Sequence, residues 1–300
     1  MIGRLPPSFS IIVPTYNRPR QLGHICLPAL ARLDYPPDLF EVIVVDDGGE
    51  AFLAGIVGEF TPTLRIQLVK QARSGPAAAR NRGASVATGR FLAFTDDDCA
   101  PTSAWLSALA HRFASTPDCA IGGSTANALV DNPYSATSQL LIDYLHVHSA
   151  RAPNKMRFFT SNNLAVPASL YRSIGGFNEA FSVGGEDREF SYRWTHHGLS
   201  LIHAPEALVY HWHQMSLRSF FRQHFRYGAG AFTFRKIIAQ MEKVPLKLEH
   251  PFFYLGLLQY AWSQQSKPSK PTRTLLTGCS QMATCLGYLW KWSSWSRTVL

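Results

Sequence analysis

The sequence predicts an α/β fold in which a mostly parallel sheet carries helices on both faces, followed by a basic helical region. Three observations lead to this prediction. Short apolar runs alternate with helical stretches early in the chain, polar clusters follow three of those runs, and the excess positive charge lies after Met215. The chain has 300 residues, which is enough for one large domain with an appendage.

Four apolar runs near the start of the chain predict buried strands. They are Ser10–Pro14, Glu41–Val45, Leu64–Val69 and Arg90–Thr95. Helical stretches are expected between them, over residues 18–33, 50–60 and 76–88. Ligands collect at the carboxyl ends of strands in such sheets, so the polar clusters after the first, second and fourth runs should meet in one crevice.

The middle of the chain is less regular. Ser161–Pro167 resembles a strand with a polar entrance, and Leu208–His213 is also strand-like. Between them, two glycine-hinged loops lead into a helix that we expect over residues 188–196. We therefore predict a domain of residues 1–215 and an amphipathic, aromatic and basic helical tail of residues 216–300.

Composition excludes several classes of protein. Hydrophobic residues make up 46% of the chain and charged residues 16%, which rules out disordered and collagen-like proteins. The five cysteines are odd in number and show no C-x-x-C spacing, so we expect no disulfide scaffold, no zinc ribbon and a reducing compartment. Residues 1–10 lack the apolar stretch of a signal peptide, so we expect no export.

The charge asymmetry predicts an anionic partner for the tail. Up to Met215 there are 17 Lys and Arg against 18 Asp and Glu, whereas residues 216–300 carry 12 against 2. The partner could be lipid headgroups or nucleic acid, and a merely soluble basic region is the plainer alternative. Two uncharged stretches, residues 251–266 and 274–290, fall short of the roughly 20 apolar residues that span a bilayer. We expect interfacial helices that attach a cytoplasmic protein peripherally to the anionic inner face of the cell membrane.

Two pairs of side chains, Asp96 with Asp98 and His211 with His213, could hold a divalent cation. Asp96, Asp97 and Asp98 follow the fourth apolar run, and carboxylates at i and i+2 can share a hard cation, although such triplets also occur as solvated loops. His211 and His213 also lie at i and i+2, so in a strand they face one side. An imidazole there could complete the coordination of Mn²⁺ or Mg²⁺, or simply form a structural hydrogen bond.

Glu186 and Asp187 open a predicted helix directly after two glycines. Carboxylates at this position are favoured as caps because of the helix dipole. A carboxylate on a flexible loop beside a cleft can also act as a general base that takes a proton from a hydroxyl. The spacing leaves both interpretations open.

Five motifs, taken together, resemble glycosyltransferase family 2 in their order and spacing. They are Ser10–Arg18, Val44–Gly48, Gly75–Gly83, Phe94–Asp98 and Gly185–Asp187. The resemblance covers about residues 9–230 and implies a GT-A fold. It also implies inverting transfer of a sugar from a nucleotide diphosphate donor, with a UDP-sugar favoured, to a hydroxyl of a glycan or a lipid-linked saccharide.

The resemblance implies a donor-binding role for six residues. Pro14 and Tyr16 match positions that line the nucleoside pocket, and Asp47 matches the residue that hydrogen-bonds the base. Arg80 and Asn81 match positions near the donor. The sixth residue, Asp96, is the first carboxylate of the D-x-D pair.

The metal ligands that the resemblance implies are Asp96, Asp98 and His211, with Asp98 most directly on Mn²⁺ or Mg²⁺. His213 is the additional candidate from its spacing. The cation would neutralise the departing diphosphate.

The same resemblance makes Asp187 the catalytic base, with Glu186 as its substitute. A base must lie away from the metal so that it stays able to accept the acceptor proton. Two other functions are weighed against this one. The chain could be a non-catalytic partner subunit that binds nucleotide sugars, or its tail could bind nucleic acid, which we do not expect because no recognised nucleic-acid module accompanies the charge.

Overall fold

The computed structural model describes residues 7–151, 158–181, 184–246 and 251–299 and divides the chain into two compact units. The first unit comprises Met1–Ala126, Phe158–Ser182 and Asp187–Trp212. The second comprises Asn127–Arg157, Val183–Glu186 and His213–Leu300. The second unit therefore takes in three segments that the sequence placed in the first domain: residues 127–157, 183–186 and 213–215.

An eight-stranded sheet forms the centre of the first unit. The strands are β1 (Phe9–Thr15), β2 (Phe40–Asp47), β3 (Ile66–Gln71), β4 (Phe91–Phe94), β5 (Cys99–Pro101), β6 (Ala120–Asn127), β7 (Leu164–Pro167) and β8 (Leu201–His211). Their order across the sheet is β3-β2-β1-β4-β7-β6-β8-β5. The helices are α1 (Pro19–Gln21), α2 (Leu27–Leu30), α3 (Leu53–Phe60), α4 (Pro76–Val86), α5 (Trp105–Ser115), α6 (Pro133–Arg151), α7 (Ala168–Ser173), α8 (Glu186–His196), α9 (Leu217–Glu242), α10 (Pro251–Ser263) and α11 (Lys270–Val299).

The sheet is parallel where the sequence predicts alternating strands and helices. β1 pairs in parallel with β2 and with β4, and β2 pairs in parallel with β3. Beyond β4 the pairing changes, because β7 is antiparallel to both β4 and β6, and β5 is antiparallel to β8. The second half of the sheet thus differs from the parallel arrangement of the first.

Helices cover both faces of the sheet, as predicted. Ile11 and Val13 of β1 belong to a core that includes side chains of α2, α3 and α5. Ile12, which points to the other face, belongs to a second core with side chains of α4, α7 and α8. Because both faces are covered, β1 and β2 are apolar almost throughout rather than alternating.

The helix predicted over residues 18–33 is present but irregular. A π-helix over Leu22–Cys26 joins α1 to α2, and the N–H of Leu27 donates to the carbonyl of Leu22, five residues earlier. Pro28 has no backbone N–H and so cannot form the hydrogen bond of a regular α-helix to the preceding turn. A wider π-helical turn before Pro28 is compatible with this missing donor.

The last strand along the chain, β8, differs from its prediction at both ends. β8 begins at Leu201, not Leu208, and it ends at His211. The expectation that His211 and His213 share one strand is therefore wrong, and the argument that the two rings face one side no longer applies. The sequence also showed no pattern for β5, α5, β6 or α6.

The second unit is helical, which confirms the predicted helical region at the C-terminal end. Ser216 and Ser219 form a capping box at the start of α9, in which each side chain bonds to the other's N–H. Helices α9 and α11 approach closely at two glycines. A Cβ on Gly228 or Gly287 would lie 1.9 or 1.8 Å from a carbonyl oxygen of the other helix. Among the described residues, none of the helices combines the length and hydropathy that a bilayer crossing requires.

Candidate active site

A buried cluster of charges follows β4. Asp97 and Asp98 are both 2% exposed, and Arg18 bridges them through Nη1–Oδ1 of Asp97 at 2.9 Å and Nη2–Oδ2 of Asp98 at 2.6 Å. The hydroxyl of Thr15 donates to Oδ2 of Asp97 at 2.7 Å. Strands β1 and β4 are neighbours in the sheet, so the residues that follow them meet at its carboxyl edge, as the sequence predicts.

Burial and mutual repulsion set the electrostatics of this cluster. Burial raises the pKa of Asp97 to about 7; the Arg18 charge opposes this rise and the Asp98 charge adds to it. Burial alone would lower the pKa of Arg18, but the charges of Asp98 and Asp97 outweigh burial and raise it. The site is thus an anionic centre that holds one guanidinium and has carboxylate oxygens suited to hard cations.

Strand pairing brings His211 to this centre from far along the chain. β5 and β8 pair so that Cys99 lies directly opposite His211, and the N–H of Trp212 donates to the carbonyl of Asp98 at 2.8 Å. His211 Nε2 lies 3.3 Å from Oδ1 of Asp98. Burial alone would lower the pKa of His211, but the Asp98 charge outweighs burial and raises it. A carboxylate and an imidazole in contact form a donor set that fits a divalent cation.

The remaining acid of the triplet has a different partner. Oδ1 of Asp96 accepts from Nη2 of Arg80 at 2.7 Å, and Arg80 is almost fully buried while Asp96 is 29% exposed. The structure therefore brings together Asp96 and Arg80, as well as Asp98 and His211. The donor and metal roles of these four side chains stay predictions.

Asp47 organises the turn that begins α4. Its Oδ1 accepts from the side chain of Gln71 at 2.7 Å and from the N–H of Ser74 at 2.8 Å, and its Oδ2 accepts from the N–H of Gly75 at 2.8 Å. Gly75 is the N-cap of α4 with a φ of 94°, a value that side chains with a Cβ rarely adopt. Asp47 thus lies buried at the carboxyl end of β2.

Tyr16 follows β1 and stacks against an arginine that the sequence did not single out. The guanidinium carbon of Arg73 lies 4.1 Å from the centre of the Tyr16 ring. Pro14, within β1, is half-buried. An aromatic ring beside a guanidinium at this sheet edge is suited to a flat heterocycle, so Pro14 and Tyr16 remain candidates for nucleoside binding.

The side chain of Asn81 connects α4 to the segment around α7 through hydrogen bonds. Its side-chain oxygen accepts from the hydroxyl of Tyr171 at 2.6 Å and from the N–H of Phe177 at 2.9 Å. Its side-chain nitrogen donates to the carbonyl of Phe177 and to Oε1 of Glu179, both at 2.8 Å. These contacts give Asn81 a structural role, and its role in donor binding stays a prediction.

The other candidates lie at the two ends of the segment Glu186–His213. Asp187 is half-buried in the first turn of α8, where its Oδ1 accepts from the N–H of Arg188 at 2.8 Å. Glu186 is buried at the start of the same helix. His213 is half-buried in the second unit, and its carbonyl accepts from the hydroxyl of Ser135. The base roles of Asp187 and Glu186 and the ligand role of His213 stay predictions.

Comparison with known proteins decides the family. Residues 10–175, more than half of the chain, match the model of glycosyl transferase family 2. This chain belongs to glycosyl transferase family 2. It is accordingly a glycosyltransferase that uses a nucleotide-sugar donor.

Relatives in sequence have the same class of activity. Glycosyltransferase AglE of Haloferax volcanii is 28% identical over 228 residues, which cover 75% of this chain and 73% of AglE. The pre-mycofactocin glycosyltransferase of Mycobacterium tuberculosis is 32% identical over 219 residues, which cover 70% of this chain. The match covers only 43% of that enzyme. The chain thus spans less than half the length of that relative.

Solved structures share the fold. A mannosyltransferase from Pyrobaculum calidifontis, solved with GDP-Man and Mn²⁺, gives a TM-score of 0.67 at 21% identity over 95% of this chain and 88% of its own. TarS of S. aureus, solved with UDP-GlcNAc, gives a TM-score of 0.54 at 17% identity over 97% of this chain and 92% of its own. These similarities confirm the predicted GT-A fold.

Several residues of this family 2 glycosyltransferase site escaped sequence reasoning. They are Thr15, Arg18, Arg73 and Cys99; Asp97 was named in the acidic triplet but was given no role of its own. Two of them, Thr15 and Arg18, stand inside the first motif, and Asp97 and Cys99 adjoin the D-x-D pair, so proximity to a motif was the available signal. Arg73 lies in no motif, and its contact with Tyr16 becomes visible only in three dimensions.

Proposed function

We propose that this chain transfers a sugar, with inversion, from a UDP-sugar to a hydroxyl group of a glycan or a lipid-linked saccharide with the help of a divalent cation. The observation that carries this proposal is the contact of Asp98 Oδ1 with His211 Nε2 at 3.3 Å, beside the buried charge cluster. The solved relatives with GDP-Man and Mn²⁺ and with UDP-GlcNAc support a nucleoside diphosphate sugar as donor.

Asp98 and His211 are the residues that would hold the divalent cation, Mn²⁺ or Mg²⁺, with His213 as a further candidate. When bound, the cation supplies Lewis-acid stabilisation of the negative charge that develops on the leaving diphosphate. Arg18 holds the other oxygen of Asp98 and so orients the carboxylate. Asp96 would act beside the donor. Its ion pair with Arg80 would then put the positively charged guanidinium of Arg80 near the phosphates.

The nucleoside would bind at the carboxyl ends of β1 and β2. Tyr16 and Pro14 would contact the base and ribose, and Arg73 would cover the Tyr16 ring from the other side. Asp47 already accepts three hydrogen bonds, but a carboxylate offers about four lone-pair sites. The remaining capacity of Asp47 suits the imino N–H of uracil.

The proton of the acceptor would pass to Asp187. In the step we propose, the acceptor oxygen bonds to the anomeric carbon as the bond from that carbon to the diphosphate oxygen breaks. The hydroxyl proton goes to the carboxylate of Asp187, and the nucleoside diphosphate leaves with the electron pair. Asp187 is half-buried, so solvent and acceptor can reach it, whereas Glu186 is buried and is the substitute candidate.

A donor screen with matched variants tests this proposal. We expect the full chain with Mn²⁺ to hydrolyse or transfer from UDP-sugars in preference to GDP- and dTDP-sugars. Asp98→Asn should lose Mn²⁺-dependent activity and the metal-dependent part of the thermal shift caused by UDP. Asp187→Asn should lose activity but keep that shift. Asp118→Asn, on an exposed carboxylate, is the matched control and should change neither.

Three results would count against parts of the proposal. Preference for a GDP-sugar would contradict the choice of nucleotide. Full activity of Asp187→Asn would contradict the base. Activity that is unchanged in Asp98→Asn and in the presence of a chelator would contradict the metal.

We also propose that the second unit attaches the enzyme to an anionic bilayer from the cytoplasm. Thirteen of the sixteen large apolar side chains exposed in the described part of the chain belong to this unit. Four of them lie on one side of α11 at helical spacing: Leu275, Met282, Leu286 and Leu289. Residues 216–300 carry 12 basic against 2 acidic side chains, so an apolar face beside net positive charge suits anionic lipid.

Vesicle flotation of the full chain tests the membrane proposal. We expect binding to vesicles that contain phosphatidylglycerol, weaker binding to pure phosphatidylcholine, and loss of binding at high salt. The double variant Leu286→Glu/Leu289→Glu should bind the vesicles at least roughly tenfold more weakly than the parent. Phe52→Glu, which changes an even more exposed apolar residue in the first unit, should bind as the parent does. If the double variant floats normally but dissociates a dimer, the face is an interface between two copies instead.

A further inference from the structure

A cysteine completes a group of three potential metal ligands at the active site. One carboxylate oxygen of Asp98, the Sγ of Cys99 and a ring nitrogen of His211 all lie within 4.8 Å of one another. The thiol of Cys99 donates to Oδ1 of Asp98 at 3.9 Å, and the same oxygen lies 3.3 Å from His211 Nε2. Oδ1 of Asp98 is therefore close to both of the other ligand atoms.

The fold, rather than chance proximity, aims these three groups at one point. Cys99 and His211 are directly opposite each other in the antiparallel pair of β5 and β8, so their side chains lie on the same face of the sheet. The N–H of Trp212 donates to the carbonyl of Asp98, which fixes the turn beside this pair. Arg18 holds Oδ2 of Asp98, which directs Oδ1 towards the other two ligands.

The two separations from Oδ1 of Asp98 are close to those around a small tetrahedral ion, and Cys99 and His211 lie within 4.8 Å of each other. Sulfur, nitrogen and oxygen ligands lie ~2.0–2.3 Å from zinc, which puts neighbouring ligand atoms ~3.3–3.5 Å apart. The distance of 3.3 Å between Asp98 and His211 matches this spacing, and the distance of 3.9 Å to Cys99 needs a side-chain shift of a few tenths of an ångström. A set of one thiolate, one imidazole and one carboxylate leaves a fourth position for a phosphate oxygen.

We propose that Cys99 is a third metal ligand in this glycosyltransferase and that it makes the site select thiophilic divalent cations such as Zn²⁺, Co²⁺ and Cd²⁺ over Mg²⁺. This inference rests on the proposed function in that it uses the same Asp98–His211 pair. Soft sulfur favours these ions, whereas Mg²⁺ takes oxygen ligands in near-octahedral geometry. On binding, the S–H bond of Cys99 breaks, a sulfur–metal bond forms and the proton goes to solvent, with no change in oxidation state.

Cobalt is the probe that tests the proposal, because a thiolate bound to Co²⁺ gives a charge-transfer absorption band in the near ultraviolet. The full chain titrated with Co²⁺ should develop this band. Cys99→Ser should lose it and bind Zn²⁺ at least roughly tenfold more weakly, while its affinity for Mn²⁺ changes less. Cys285→Ser, on an exposed cysteine of α11, is the matched control and should keep the band.

A second variant guards against the possibility that Cys99→Ser does not fold. A chain in which Cys26 is replaced by Ala and Cys119, Cys279 and Cys285 by Ser should keep the full band, because Cys99 is then the one remaining cysteine. Co²⁺ binding without the band in the parent chain, or with an undiminished band in folded Cys99→Ser, overturns the proposal.

The result is distinguishable from failure of the proposed function. A chain that transfers sugar with Mn²⁺ but shows no thiolate band contradicts the ligand role of Cys99 alone. A chain that shows the band and loses it in Cys99→Ser but transfers no sugar contradicts the proposed function alone.

Discussion

The two units bury charged and ionisable groups in different ways. In the first unit, Arg18 and Arg80 are paired with the carboxylates of the acidic triplet. In the second unit, the guanidinium of Arg273 is 1% exposed and donates to main-chain carbonyls, those of Ala261, Gln264, Ser266 and Pro268. His224 is also fully buried there, and its ring packs edge-on against Phe220 and Tyr227.

This difference separates a site from a scaffold. In an ion pair of this kind the carboxylate can exchange the guanidinium for a metal ion, and the guanidinium can exchange the carboxylate for a donor phosphate. A guanidinium that is held by carbonyls joins segments of backbone and has no anionic partner to exchange. The ion pairs of the acidic triplet are therefore suited to a change of partner, whereas the buried guanidinium of Arg273 is suited to stabilising the fold, and the predictions below test that contrast.

The largest expected effect comes from removing the guanidinium of Arg273. It connects the end of α10 and the loop after it to α11, so Arg273→Met should leave four main-chain carbonyls, one buried and three partly buried, without this donor. We expect the free energy of unfolding to fall by about 3–5 kcal/mol. Chemical denaturation measures this change. Lys270→Met, on an exposed residue of the same helix turn, should leave the midpoint unchanged, and equal stabilities of the two variants would contradict the contrast.

The next effect is a dependence of stability on pH that belongs to the second unit. Burial lowers the pKa of His224 to about 4, and the charge of His213 acts in the same direction, whereas an unfolded histidine titrates near 6.5. The unfolded chain therefore binds more protons between pH 4 and 6.5, so this contribution is complete above pH 6.5 and is lost as the pH falls towards 4. It amounts to at most about 3 kcal/mol.

His224→Phe isolates this contribution. Neither ring nitrogen of His224 has a hydrogen-bond partner among the described residues, so a phenyl ring of similar shape should fit between Phe220 and Tyr227. Urea unfolding at pH 4.5, 5.5 and 7.5 should show a smaller loss of stability in acid for the variant than for the parent. Parallel losses in the two proteins would exclude His224 as the source.

A smaller effect sharpens the contrast within the first unit. Asn81 was expected near the donor, yet its side chain bonds to Tyr171, Phe177 and Glu179. Asn81→Ala should lower the free energy of unfolding by about 2 kcal/mol, because it removes hydrogen bonds at partly buried groups. The thermal shift caused by UDP and Mn²⁺, measured from the lowered midpoint, should stay the same. A reduced shift with unchanged stability would place Asn81 on the donor instead.

The parallel half of the sheet was predictable because its strands are continuous apolar runs between clear turn signals. The antiparallel half was not, and β6 shows why. Gly122 and Gly123 leave no room for side chains, since a Cβ on the first would lie 1.9 Å from the Phe159 ring and a Cβ on the second 2.1 Å from the carbonyl of Ala207. Close packing here requires residues that carry no hydrophobic pattern, so sequence periodicity cannot detect the strand.

The site was predictable where a motif marked it and not where partners meet across the chain. The acidic triplet came from a motif and His211 from its spacing and the family resemblance, and β5 and β8 do bring Asp98 and His211 together. The bridging role of Arg18 depends on the neighbouring ends of β1 and β4, which only the register of the sheet fixes. The contact between Arg73 and Tyr16 likewise joins two loops, and the lengths of these loops do not predict how far apart the two side chains lie.

The smallest expected effect concerns a buried carboxylate of the first unit that accepts hydrogen bonds from uncharged groups. Oε1 of Glu41 accepts from the hydroxyl of Ser10 at 2.6 Å and from both the N–H and the hydroxyl of Thr88 at 2.7 Å. Burial alone would raise the pKa of Glu41, but these hydrogen bonds outweigh it and lower the pKa. The ionised carboxylate therefore stabilises the fold above an unfolded pKa of about 4.3, and this contribution is lost as the pH falls through the lower folded value.

Glu41→Gln should cost about 1 kcal/mol at neutral pH, because the amide oxygen can accept the same three bonds without the negative charge. Hydrogen exchange, followed separately in β2 and α9 as the pH is lowered, should show α9 losing protection between pH 6.5 and 4 and β2 only below that range. Glu41→Gln should reduce the loss of protection in β2 at low pH and leave the loss in α9 unchanged. If β2 and α9 lose protection together at every pH, the two units unfold as one, and burial of charge in one unit cannot be assigned a role apart from the other.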